Sequence, residues 1–249
     1  MTPLLLIPGI QGRWEWMQPA IDELEKEWRV IPCSLPGEPG ARTTVNGSFD
    51  SLVEYIDGVL DAASVQRAVI CGVSFGGLIA LRYAARRPDR TDALILVSTP
   101  GPRWKVKPRL ARFMKWPTLS SPLFFAGAFG RFWPELCVTY PDVTKRIRFC
   151  SGAIKRVLAA PAIPSRMSRR AQLAEQEQFE CDCATVKAPT LVITGERDLD
   201  RVVQYDETMD YVALIPGARF QLLENTGHLG IISAPDRFAS IVSRFYRTL

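Results

Sequence analysis

The sequence predicts an α/β fold: a mostly parallel sheet of about six strands, flanked by helices and carrying a helical insertion. Three observations predict it. Short continuous apolar runs, of the kind that make strands buried on both faces, alternate with segments whose apolar residues recur at helical spacing. The alternation is interrupted once, between Pro100 and Lys187, by a proline-punctuated stretch with no strand-like run. Charge divides at the same place: residues 102–180 hold fifteen basic and five acidic residues, while the rest of the chain has five more acids than bases.

The elements follow in order. Residues 4–7 are a buried strand, 17–28 a helix and 29–33 a second strand, which Pro36-Gly37-Glu38-Pro39-Gly40 brings to an end. Ser48 is placed to cap a helix over 49–63, where Leu52, Val53, Ile56, Val59 and Leu60 share a face. Residues 68–72 form a third strand, 76–87 a helix stopped by Pro88, and 93–98 a fourth strand. After the interruption come a strand at 190–194, a helix at 204–214, a strand at 220–223 and a last helix at 234–249. This gives a core of residues 1–99 and 188–249 and an insertion of 100–187. Within the insertion, Leu110/Phe113/Met114 and Val143/Ile147/Cys150/Ile154/Leu158 have helical spacing. Prolines at 108, 117, 122, 134, 141, 161 and 164 are expected to cut it into short helices.

Composition narrows the class. The chain has 249 residues, 47% hydrophobic and 23% charged, which suits a globular protein with a sizeable core. The apolar run at residues 4–7 is too short for a signal peptide or a membrane span, so a cytoplasmic location is expected. Six cysteines in such a chain read as reduced thiols. Cys181-Asp182-Cys183 lacks the usual zinc spacing, and no metal site is expected. No helix-turn-helix, zinc-finger or RNA-binding signature accompanies the basic insertion, so nucleic acid is not an expected partner.

The chemistry-bearing residues fall at strand ends. Gly72-Val73-Ser74-Phe75-Gly76 fits G-x-S-x-G and lies where a buried strand turns into a helix, a position that holds a serine exposed above the sheet's C-terminal edge. A serine hydroxyl needs a base to become a nucleophile. The chain has one histidine, His228, in the loop after the last strand. The imidazole in turn needs an acid to fix its tautomer. Asp198, in Gly195-Glu196-Arg197-Asp198 after the fifth strand, is the expected acid, with Asp200 its closest rival and Glu196 and Asp206 behind it. The oxyanion of an acyl-transfer intermediate needs two donors. The backbone N–H of Phe75 is one; the other is assigned to Ile10 N–H in Pro8-Gly9-Ile10-Gln11-Gly12, with Gln11 N–H as the alternative.

Taken together, these motifs resemble the α/β-hydrolase family over nearly the whole chain: a glycine-containing loop after the first strand, the serine elbow, Gly-x-x-Asp and Gly-His, in that order. The resemblance implies an α/β-hydrolase fold whose insertion is a helical cap over the active site. It implies a serine hydrolase acting on a small-molecule acyl substrate through Ser74, His228 and Asp198, without a cofactor. An ester is the expected substrate; thioester, lactone, acyl transfer, perhydrolysis, carbon–carbon hydrolysis and ligand binding without catalysis are alternatives. Pro8-Gly9 stands where the family often has His-Gly, and Cys33-Ser34 where many members carry an Asp. Trp14, Phe125 and Phe129 are the expected apolar contacts to substrate, with Trp16, Leu123, Phe124, Phe132 and Trp133 as further candidates.

Overall fold

The computed structural model describes residues 1–41, 47–106 and 108–249. Six strands form one parallel sheet: β1 (Pro3–Ile7), β2 (Arg29–Pro32), β3 (Ala68–Val73), β4 (Thr91–Val97), β5 (Thr190–Thr194) and β6 (Arg219–Leu222), in the order β2-β1-β3-β4-β5-β6. Each lies within two residues of its expected position. The apolar runs are continuous because both faces are covered. Leu5, Ile7, Ile70, Leu94, Leu96 and Val192 face one core with residues of helices α2 (Asp50–Ala62) and α3 (Phe75–Arg86). Leu4, Leu6, Val69, Cys71, Ile95 and Ile193 face another with α1 (Gln18–Leu24). Successive strand residues point to opposite sides, so an all-apolar strand needs two apolar layers to receive it.

The strand order reverses between β1 and β3, where Ile7 pairs with Gly72. At such a reversal the loops leaving two neighbouring strands diverge and leave a crevice at the sheet's C-terminal edge. Here those loops are residues 8–12 and the turn at Ser74.

Among the described residues, five helices lie between β4 and β5: α4 (Pro108–Lys115), α5 (Pro117–Thr139), α6 (Val143–Ala159), α7 (Pro164–Glu175) and α8 (Glu180–Thr185). Pro108, Pro117 and Pro164 open helices, where a missing N–H costs nothing. The expectation of short helices fails at α5, which runs 23 residues through Pro122 and Pro134. Pro134 cannot donate to the carbonyl of Gly130 one turn back; that oxygen instead accepts from Arg201 Nη1 at 3.4 Å.

The C-terminal part holds α9 (Tyr205–Leu214), α10 (Gly230–Ser233) and α11 (Pro235–Tyr246). The expected last helix is α11, opened by Pro235, and α10 is a short helix ahead of it where the sequence predicts only a loop. Ser48 does serve the start of α2, accepting the Ser51 N–H at 3.3 Å. Part of the insert's positive charge is held by a core acid: Arg166 and Arg170 of α7 both bind Glu38, at 3.0 and 2.7 Å. Among the described residues the cysteines are free thiols, and no helix is long and apolar enough to cross a membrane.

Candidate active site

The turn from β3 into α3 places Ser74 at φ 53° and ψ −123°, a backbone region that costs a non-glycine residue about 1–3 kcal/mol. Surrounding contacts hold it there. The Ser74 N–H donates to Val97 O at 2.8 Å, and its carbonyl accepts the Gly77 N–H at 2.8 Å. Gly76 permits the turn because a Cβ at this position would lie 2.4 Å from Pro8 O and 2.5 Å from Ile7 O. The strand-to-helix crossing therefore packs directly on the end of β1. Phe75, the first residue of α3, is buried, and its N–H lies at the positive end of the helix.

The loop after β1 runs beside this elbow. A Cβ built on Gly9 would stand 3.4 Å from Ser74 Cβ, and Gly12 N–H closes a turn onto Gly9 O at 2.9 Å. Ile10 lies within that turn. Its carbonyl accepts Arg170 Nη1 at 2.9 Å, so a side chain from α7 fixes one side of the loop.

Glu196 joins the loops after β5 and β6. Its N–H donates to Thr226 O at 2.8 Å, and its carboxylate accepts the Asn225 N–H at 2.6 Å. Gly227 allows the close approach, since a Cβ there would come within 2.5 Å of Leu199 O. His228 is thereby brought to the loop after β5, where its Nδ1 lies 3.1 Å from Oδ2 of Asp200.

This corrects the expectation for Asp198. Asp198 is exposed, whereas the Asp200 side chain is 1% exposed. The N–H groups of Leu199 and Asp200 both return to Glu196 O, making one helical turn. That turn sends residues 197 and 198 outward and folds Leu199 and Asp200 inward. The other Asp200 oxygen accepts the N–H groups of Val202 and Val203, each at 2.9 Å, which locks the carboxylate's orientation. Asp206, another candidate, pairs with Arg197 at the surface. Loop position and the order Ser…Asp…His suit both aspartates equally; the apolar Leu199 beside Asp200 is the one sequence signal for the inward side of the turn.

The electrostatics favour a charged pair. Burial works against protonation of His228, but the charge of Asp200 and its hydrogen bond outweigh it, with a further contribution from Glu135, and the imidazole pKa is raised. Burial likewise opposes ionisation of Asp200, yet His228 and the two N–H donors bring its pKa below the usual carboxylate value.

Glu135, in α5, went unnoticed in the sequence. It is fully buried, and its two carboxylate oxygens accept the Leu229 N–H at 3.0 and 3.1 Å, next to His228. Burial raises its pKa to about 7 against the pull of the Gly227 and Leu229 N–H groups. Nothing in helical spacing distinguishes such a residue from a solvated glutamate.

The expected apolar contacts are dispersed. Trp14 is half-buried and packs against the core on the α1 side of the sheet. Phe129 is exposed and stacks on Trp133 with ring centroids 4.8 Å apart, and Arg146 lies over Trp133. The side chain of Phe125 lies outside the described residues, as do those of Leu123 and Phe124. Trp16 donates its indole N–H to Ala160 O at 2.8 Å, tying the segment after the first loop to the end of α6.

Comparison with known proteins agrees with this architecture. A methyl ester esterase for pimeloyl-[acyl-carrier protein] from Nitrosomonas europaea is 24% identical over 92% of this chain and 88% of its own length. The 2-hydroxymuconate semialdehyde hydrolase of Pseudomonas putida is 27% identical over 87% and 76%. The crystal structure of the enol-lactonase from Burkholderia xenovorans LB400 superimposes with a TM-score of 0.80 at 20% identity, covering 98% of this chain and 90% of that one. A family model for the alpha/beta hydrolase fold matches residues 2–235, and the chain belongs to that family.

Proposed function

We propose that the protein is a serine hydrolase that cleaves carboxylic esters through an acyl-enzyme. The observation that carries this reading is the pairing of a strained Ser74 at the elbow with a buried Asp200–His228 couple on the same edge of the sheet. Ser74 follows β3, Asp200 follows β5 and His228 follows β6, and in a parallel sheet all three loops leave from the C-terminal side. A non-catalytic binder has no need of a backbone held in an unfavourable region, nor of an aspartate buried against its one histidine.

In this reading Ser74 Oγ attacks the substrate carbonyl as His228 Nε2 takes its proton. Asp200, on Nδ1, holds the tautomer that leaves Nε2 free to accept, and stabilises the imidazolium that forms. The Phe75 and Ile10 N–H groups receive the oxyanion. His228 returns the proton to the leaving alcohol, and a water activated by the same ring releases the acid. Helices α4–α8 serve as the cap. Relatives named as esterase, enol-lactonase and semialdehyde hydrolase are consistent with hydrolysis at a carbonyl.

The test is a panel of aryl esters of graded acyl length, run with Ser74→Ala as control. Turnover that disappears in Ser74→Ala supports the reading. Turnover that survives in the variant sinks it, and absence of turnover on every ester while a lactone is opened would move the substrate class.

A further inference from the structure

The last turns of α5 grip the histidine loop at three places. Glu135 accepts the Leu229 N–H on both carboxylate oxygens, at 3.0 and 3.1 Å. Thr139 Oγ1 donates to Asn225 O at 2.7 Å. Tyr140, just past the helix end, donates its hydroxyl to Ser233 O at 2.6 Å. The contacts alternate acceptor and donor and span residues 225–233, with His228 between the first two anchor points. Ser233 Oγ also reaches Glu135, at 3.5 Å. All three gripping side chains come from the insertion, and the segment they hold belongs to the core.

A carboxylate with no exposure is an expensive way to satisfy the peptide N–H groups of a loop, because burying a charge costs far more than burying an amide. A neutral side chain would serve if only the loop's hydrogen bonding were at stake. The position explains the choice. Leu229 is the residue after the histidine, so fixing its N–H fixes the peptide plane from which the imidazole hangs. The opposite side of the loop is fixed by Gly227 lying on Leu199 and by Asp200 on Nδ1.

We propose that Glu135 is a positioning residue for His228: through Leu229 it sets the imidazole relative to Ser74, and so makes the helical insertion part of the catalytic geometry. This rests on the triad reading above. A displacement of about 1 Å in a catalytic group can cost roughly a hundredfold in rate. Loss of the anchor should therefore lower kcat and leave KM for a short aryl ester nearly unchanged, since Glu135, with no exposure, offers no surface to a substrate.

The experiment compares Glu135→Ala, Glu135→Gln and the parent enzyme on a short aryl ester. Rates are normalised to the active sites that a fluorophosphonate probe labels at completion, which removes any misfolded fraction. Expected are a drop in kcat of about a hundredfold for Glu135→Ala and partial rescue in Glu135→Gln, whose amide oxygen still accepts the Leu229 N–H, with KM within a few fold for both. If Glu135→Ala folds poorly, Glu135→Gln alone should still show a lower kcat per labelled site with its melting temperature held. A parental kcat per labelled site in either variant, or a loss confined to KM, overturns the proposal. Ser74→Ala and His228→Ala are run alongside; activity in those would instead refute the triad.

Discussion

Oδ2 of Asp200 lies 3.1 Å from Nδ1 of His228, and its other oxygen takes the N–H groups of Val202 and Val203. The carboxylate is thus held from both sides before any substrate arrives. Asp198, two residues earlier, faces solvent. Replacing the orienting acid of a triad by Asn leaves the shape intact but favours the wrong imidazole tautomer, at a cost of about ten-thousandfold in kcat. Asp200→Asn should lose activity on that scale, and Asp198→Asn should stay within a few fold of the parent. Kinetics on one activated ester decide it; the opposite ranking would return the role to Asp198.

The pH profile should carry the same signature. A raised His228 pKa means that the ring stays protonated, and idle as a base, to a higher pH than an unperturbed histidine. The acid limb of kcat/KM should therefore have its midpoint above the ordinary value of about 6.5. Because His228 is the one histidine in the chain, no other imidazole competes for the assignment. Asp200→Asn should move the midpoint down. A limb centred below 6 in the parent enzyme would contradict the charge arrangement described here.

Glu135 makes an opposite kind of statement, about stability. Its folded pKa of about 7 exceeds the ordinary 4.5, so between those values the folded protein binds more protons than the unfolded chain. Stability must then fall as pH rises through that window, because deprotonation leaves a buried charge. Glu135→Gln cannot ionise and escapes that loss. The melting temperature of the parent should decline more steeply from pH 4.5 to 8 than that of Glu135→Gln. His228 contributes a decline of the same sign to both proteins, and because Glu135 adds to the raised His228 pKa, the difference between the two curves reports Glu135 together with its effect on His228. Parallel curves would show that the carboxylate is already charged throughout. A variant that loses turnover while gaining alkaline stability is the trade-off expected where function has placed a charge in a dry site.

What the sequence could disclose follows from how local each signal is. Strands β1, β3, β4 and β5 are legible because burial on both faces demands an unbroken apolar run, and Leu4–Ile7 or Leu94–Val97 can do little else. Ser74 is legible because the glycines around it are required by the crossing of strand and helix. The acid is not, because whether residue 198 or 200 turns inward depends on a single helical turn that Glu196 closes. The length of α5 is hidden for a related reason: Pro134 breaks a helix unless something else satisfies Gly130 O, and the satisfying group, Arg201, is 71 residues away. Glu135 is hidden altogether, since its partner is a backbone N–H of another segment.

Arg170 and Glu38 offer a test of how the insertion steadies the loop after β1, which is proposed to supply the second oxyanion donor. Arg170 is 6% exposed; it holds Glu38 at 2.7 Å, Pro36 O at 3.2 Å and Ile10 O at 2.9 Å. The Glu38 side chain has no exposure, and it also pairs with Arg166 at 3.0 Å. Removing one member of a buried pair strands the other, at a cost of about 3–5 kcal/mol. Arg166 offsets part of that, so Arg170→Met should lose about 3 kcal/mol, or roughly 6–12 °C in melting temperature for a chain of this size. Glu38→Gln combined with Arg170→Met should recover part of the loss, because the stranded charge is gone. Turnover should behave differently. Neither variant restores a donor to Ile10 O, so if that carbonyl's hydrogen bond steadies the Ile10 N–H, kcat should stay depressed in the double variant even as stability returns. A double variant that recovers both together would mean that Arg170 acts on the loop through Glu38 alone, and one in which the two losses simply add would mean that the pair is not coupled.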